Sequence, residues 1–264
     1  MNRRKIIKIM LAVVCVVCIA ILGVRAYHMH TGRVHNEQAQ ELVKLPKQMP
    51  APPAAAEPEA EETDPLAEAL ADIDLSALKA INPDVIGWIY IPDTVVSYPL
   101  LIGENNNQYL RHTWLKEYST MGSIFMETES QTDLSDFNTI IYGHRMRDMS
   151  MFAILQYYDQ KDYWEQHPSV YLVNDSGVYR YDIYAAYESS VRSPAYYLQV
   201  NEPERKAEVI QDGLKKSAVD TGIVPTEDDK ILTLSTCPSR GMATRWIVQA
   251  VLAETYSTET AASE

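Results

Sequence analysis

Cysteine is scarce in this chain: three in 264 residues. Cys15 and Cys18 fall inside an apolar N-terminal run, which leaves only Cys237 for everything downstream. No disulfide can form within a folded domain, so a small disulfide-stapled secreted fold is excluded. No Cys/His set has zinc spacing, and neither a metal nor a cofactor is expected. Positive charge is also short. Lys and Arg number 23 against 36 Asp and Glu, a net charge of −13, with no basic cluster beyond the N-terminus. A nucleic acid partner is thereby excluded, because phosphate binding needs cations. The acidic run Glu227–Asp228–Asp229 has neither the alternating ligands nor the glycine of a calcium loop and reads as solvated loop.

A long apolar run is present. Residues 6–24 are apolar apart from Lys8, and Arg3, Arg4 and Lys5 precede them. A bilayer core takes about 20 residues of helix, and the basic flank keeps the N-terminus inside. Lys8 can snorkel to the interface. A cleaved signal peptide is the rival, but no clean A-x-A site follows. Residues 1–27 are therefore expected to be a cytoplasmic start and a single membrane span, with the rest outside the cell. Residues 28–63, rich in Pro, Ala and Glu towards their end, are expected to form an extended linker. A folded domain over 64–256 and a polar tail over 257–264 complete the chain.

Within the domain, Leu66, Leu70, Ile73 and Leu78 recur at helical spacing and predict one helix or two short ones over 64–80. Eight short apolar or alternating runs then follow, at 86–91, 95–101, 123–126, 139–142, 170–173, 179–188, 231–236 and 246–252. Turn residues separate most of them, which argues for a β-barrel or sandwich. Two helices interrupt the strands, over 150–158 with Ser150 as its cap and over 202–219 with Ala207, Ile210, Leu214 and Ala218 as its stripe. The fold class is mainly β with accessory helices (α+β).

The chemistry centres on residues 230–254. Cys237 ends one strand and Arg245 starts the next, so strands joined by a short connection bring thiol and guanidinium to one end of a sheet. A fixed cation favours the thiolate. Taken alone, Cys237 reads first as a small core residue, as most such cysteines are. Upstream, a strand over 139–142 runs through Gly143 into His144, which taken alone reads as a loop histidine. His112 reads as a surface or structural histidine. Tyr184 and Tyr187 lie on a candidate groove strand, but 17 tyrosines make either a weak choice.

Taken together, TLSTC at 233–237, Arg245 eight residues later and YGHRM at 142–146 resemble the sortases, membrane-anchored cysteine transpeptidases of Gram-positive surfaces. The resemblance spans about residues 75–255 and includes NPDVIGWIYIPDTVVSYPLL at 82–101 and GSIFME at 122–127. It implies an eight-stranded sortase barrel, with Cys237 as nucleophile, His144 as acid and base, and Arg245 as oxyanion or substrate stabiliser. The long helix before the Cys-bearing strand and the N-terminal helix resemble class B. That class implies Asn106, Leu110 and Ser235 as substrate-binding residues. The partners implied are a sorting-signal peptide such as N-P-x-T-N and a peptidoglycan precursor or cross-bridge amine, at the outer face of the cell membrane.

One departure stands out. Pro238 follows the cysteine and has no N–H to donate to an oxyanion, so Arg245 or another amide must do so; Arg240 is a second guanidinium nearby. A pilin-polymerising sortase, a cell-wall cysteine peptidase, an L,D-transpeptidase and a membrane-tethered binding module with an inert thiol remain the alternatives. His144 precedes Cys237, against the order of many wall peptidases, and the S-x-G-C neighbourhood of L,D-transpeptidases is absent. No lid motif precedes the first strand, which favours anchoring over pilus assembly.

Overall fold

Leu232 and Leu234 point to one side of a strand and Thr233 and Ser235 to the other, and all four are buried. A strand buried on both faces must be covered on both, and the computed structural model shows how. It describes residues 3–44, 64–236 and 244–257. Eight strands form a closed barrel: β1 (Val85–Tyr90), β2 (Ser97–Leu101), β3 (Ile124–Met126), β4 (Asn138–Tyr142), β5 (Ser169–Asn174), β6 (Gly177–Ser190), β7 (Ile231–Thr236) and β8 (Thr244–Ser257). Their order around the wall is β1-β2-β3-β4-β7-β8-β6-β5. The β2/β3 and β4/β7 pairs are parallel and the others antiparallel. Closure gives each of these strands a partner on both sides.

The barrel interior holds Ile89, Ile141, Leu172, Ile183, Leu232, Leu234 and Val248 among others. Each such side chain contributes about 1.5–3 kcal/mol by leaving water. Outside the wall, one apolar layer joins β1 and β5 to the N-terminal helices α1 (Arg3–Leu42), α2 (Pro65–Ala71) and α3 (Ser76–Ile81). Another joins β6 and β8 to α5 (Pro203–Lys216). Asp64 caps α2 by accepting from the amides of Leu66 and Ala67 at 2.9 and 3.2 Å, and the expected apolar stripe, Leu66, Leu70, Ile73 and Leu78, is buried.

Three local expectations change. The helix expected over 150–158 is a 3-10 helix over Ala153–Asp159, followed by α4 (Lys161–Gln166). Ser150 does not cap it; its hydroxyl donates to Asp148 Oδ1 at 2.6 Å. Helix α5 ends at Lys216 and buries Val209, Ile210 and Gly213, while Ala218 lies beyond it and is exposed. Finally, α1 continues past Tyr27 to Leu42, so the first part of the expected linker is helical. The physical reason is that proline first appears at Pro46; nothing before it removes an amide donor from the helix.

Candidate active site

Parallel pairing of β4 with β7 sets Tyr142 beside Ser235, and antiparallel pairing of β7 with β8 sets Thr236 beside Trp246. The C-terminal ends of β4 and β7 and the N-terminal end of β8 therefore share one rim of the barrel. His144 and Arg245 both belong to that rim. Cys237 follows Thr236 in the chain and lies outside the described residues, as do Pro238 and Arg240.

His144 is half-buried. The Gly143 amide donates to the Ser235 carbonyl at 3.2 Å, and the His144 carbonyl accepts from the Phe152 amide at 3.0 Å. The ring itself is held by the Leu110 carbonyl, 2.6 Å from Nε2. A carbonyl can only accept, so Nε2 carries a proton. In the neutral ring Nδ1 is then the basic nitrogen. Gly122 makes this approach possible. Its φ is +62°, and a Cβ there would lie 2.6 Å from the Tyr109 carbonyl oxygen, 2.8 Å from that of Leu110 and 3.0 Å from His144 Cδ2.

Arg245 is half-buried, paired with Ser189 of β6, and donates from Nη1 to the Thr244 carbonyl at 2.8 Å. Its charge reaches the Tyr142 hydroxyl. Burial, then the Glu127 carboxylate, push that hydroxyl far above its ordinary pKa, and the Arg245 guanidinium opposes them.

Asn106 and Ser235 belong to polar networks at this rim. The Asn106 amide donates to Glu127 Oε1, and its Oδ1 accepts from the Thr128 amide at 3.0 Å and the Thr128 hydroxyl at 3.2 Å. Tyr142 donates to the other Glu127 oxygen at 2.8 Å. Ser235 Oγ lies 2.7 Å from the Tyr196 hydroxyl. Leu110 offers its carbonyl to His144, while its side chain joins the outer apolar layer around Trp88 and Tyr109. His112 donates from Nδ1 to the Gln108 carbonyl at 2.6 Å, a structural contact. Tyr184 and Tyr187 are buried under α5 rather than along the rim.

Sequence reasoning did not single out Glu127, Tyr142 or Tyr196. The first ends GSIFME and the second opens YGHRM, so both stood in stretches already marked; a carboxylate closing an apolar strand was the available signal. Tyr196 gave none. Among the described residues no group of three or more His, Cys, Asp or Glu side chains is placed to hold a metal ion.

The fold and rim define a closed eight-stranded barrel that sets a histidine and an arginine around the end of a strand leading to a cysteine. A family model of the sortase domain matches residues 89–253. Sortase B of Listeria monocytogenes is 36% identical over 166 residues, 62% of this chain and 67% of that protein. The structure of a Staphylococcus aureus sortase B–substrate complex superposes with a TM-score of 0.65 at 28% identity, over 68% of this chain and 84% of the other. A sortase B complexed with triglycine does so with a TM-score of 0.64 at 28% identity, over 68% and 85%. The chain belongs to the sortase family, and its similarities place it in class B.

Proposed function

We propose that this protein is a membrane-anchored transpeptidase that cleaves a sorting signal of surface proteins and joins them to a peptidoglycan amine. The observation that carries the reading is the imidazole of His144, fixed through Nε2 by the Leu110 carbonyl at the end of β4, beside the strand that leads into Cys237. Solved sortase B structures with a substrate and with triglycine support a peptide donor and an amine acceptor.

In the first half-reaction the Cys237 thiolate attacks the scissile carbonyl carbon. The C–N bond breaks, and the leaving amine takes a proton from the imidazolium of His144. In the second, an incoming amine attacks the thioester, its proton passes to His144, and the thiolate leaves. Arg245 stabilises the oxyanion or holds the peptide, a role made heavier by the missing N–H of Pro238. Free thiol and imidazole titrate near ~8.5 and ~6.5, so the reactive pair of thiolate and imidazolium is a minority form unless the site shifts them. Asn106, Leu110 and Ser235 take the peptide along the rim. The apolar stretch of α1, exposed from Ile6 to Val24 and with a mean hydropathy of 3.0 over its most apolar window, is the anchor. Its basic N-terminus stays in the cytoplasm and the barrel faces the wall.

The test incubates the enzyme with fluorogenic sorting peptides and a panel of amines, beside Cys237→Ala, and reads products by mass spectrometry. An amide-linked product absent from the variant is the expected result. Hydrolysis alone would favour the peptidase, and no Cys237-dependent cleavage would refute the site.

A further inference from the structure

The second half of α1 is docked on the barrel along a line of polar and small side chains. His35 Nδ1 lies 2.9 Å from Thr113 Oγ1, and Trp114 Nε1 donates to the His35 carbonyl at 2.6 Å. The His28 carbonyl accepts from Ser119 Oγ at 2.9 Å, and the His28 ring meets the Tyr118 carbonyl at 3.1 Å. Gly32 sits so close that a Cβ would lie 2.8 Å from Ser119 Oγ and 3.1 Å from Met121. Arg33 donates from Nε to Asp148 Oδ2 at 3.1 Å and from Nη2 to the same oxygen at 2.5 Å. Asn36 donates to the sulfurs of Met121 and Met151 at 3.7 and 3.8 Å.

These partners fall on two segments. Thr113 to Met121 lies between Leu110, which holds the His144 ring, and Gly122, which lies against it. Asp148 and Met151 lie in the turn between His144 and Phe152, whose amide holds the His144 carbonyl. That turn has little regular pairing beyond the bridge of Arg145 to Met151. Met149 and Met151 also adopt φ of +65° and +57°, a region that unbranched non-glycine residues enter only when their surroundings hold them there. Asp148 is the fastening point. Burial raises its pKa, but hydrogen bonds from Ser150 and Arg33 outweigh that and hold the carboxyl below its ordinary value.

We propose that residues 28–36 are a positioning element for His144, clamping the segment that holds its imidazole and the turn that holds its backbone carbonyl, with Arg33 and Asp148 as the clamp's charged contact. This rests on His144 being the acid and base of the proposed reaction. Arg33 lies nine residues past Val24, about 13 Å along the helix at ~1.5 Å per residue. The helix that carries the apolar stretch is thus the one that sets the imidazole.

The test uses the full chain in detergent micelles. It compares wild type, Arg33→Asp, Asp148→Arg and the double exchange, with Gln40→Ala as a control that removes an α1 contact to the Ser97 carbonyl. Kinetics with a sorting peptide give kcat, KM and the pH profile, melting gives Tm, and NMR of labelled histidines, assigned with His144→Gln, gives the titration of His144. Each single exchange is expected to lower kcat by roughly 10- to 100-fold, the scale of a misplaced reacting group. KM should stay within a factor of about two, the His144 titration should shift, and the double exchange should recover most of both. Gln40→Ala should leave kcat unchanged. Unaltered kcat and an unaltered His144 titration in both single variants would overturn the proposal. So would losses that track Tm while the titration stays put. If wild type turns over no peptide, the transpeptidase reading fails by itself, and the His144 titration still decides whether α1 positions the ring.

Discussion

Glu127 is the residue on which the candidate site's stability turns. The residue is 5% exposed, and its carboxylate accepts from the Tyr142 hydroxyl at 2.8 Å and from the Asn106 amide, while the single Thr128 hydroxyl proton is shared between it and Asn106 Oδ1, each 3.2 Å away. Replacing it with alanine leaves Tyr142 and Asn106, both half-buried, without this acceptor, at about 1–3 kcal/mol for each unsatisfied group. The expected loss for Glu127→Ala is about 3–5 kcal/mol once the small cavity is added. Glutamine behaves differently. Its carbonyl can still accept from Asn106, and its NH2 can donate to the Tyr142 oxygen if that hydroxyl turns away. Only the charge assistance is lost, about 1–3 kcal/mol summed over two bonds. Urea unfolding of the three proteins at pH 7 measures both differences at constant m. A Glu127→Ala variant within 0.5 kcal/mol of wild type, on the order of an ordinary surface change, would refute the network. Equal losses for Ala and Gln would refute the claim that hydrogen bonding, rather than charge, holds it. In the peptide assay Glu127→Ala is expected to raise KM more than it lowers kcat, because Asn106 loses its anchor while His144 does not.

Three further outcomes follow from the geometry. Gly143→Ala puts a Cβ 2.5 Å from Ile124 Cδ1 and 2.6 Å from Phe152 Cδ2; it should cost about 1–3 kcal/mol in urea unfolding and displace the following His144, with a matching fall in kcat. A double-mutant cycle of Tyr196→Phe with Ser235→Ala should return a coupling of about 0.5–1.5 kcal/mol from their 2.7 Å contact; zero coupling would dissolve that pair. Burial holds Tyr158, Tyr181 and Tyr184 above the ordinary value and pushes Tyr163 up to about 12. The unfolded chain therefore releases protons near pH ~10 that the folded barrel keeps. Stability is whole below that pH and falls above it, so urea midpoints should drop from pH 9 to 11; a midpoint that stays constant over that range would contradict this.

The barrel wall was legible because its signal is local. All eight expected runs are strands, and β7 spans the same residues, Ile231–Thr236. The long partners β6 and β8 each extend beyond their apolar stretch, because their ends pair with each other at Ser190↔Thr244 and Gly177↔Ser257. Pairing is a property of two segments, and composition reports on one. The same limit hid Glu127. A carboxylate at the end of Ile124–Met126 looks like the start of a surface turn, and only Asn106 and Tyr142, 21 and 15 residues away, make burial affordable.

The docking of α1 was hidden for a different reason, and that reason bears on what the helix does. Its contact positions, His28, Gly32, Arg33, His35, Asn36, Ala39, Gln40 and Val43, share one side of the helix. All but Ala39 and Val43 are polar or glycine, so a search for apolar stripes passes over them. A face built this way gains little from leaving water and much from matched hydrogen bonds, which fix register and angle more sharply than apolar area does. An apolar face would have served to hold the domain on. A polar one that grips Thr113, Ser119 and Asp148 serves better to hold particular loops in particular places, which is what an imidazole carried on such loops requires.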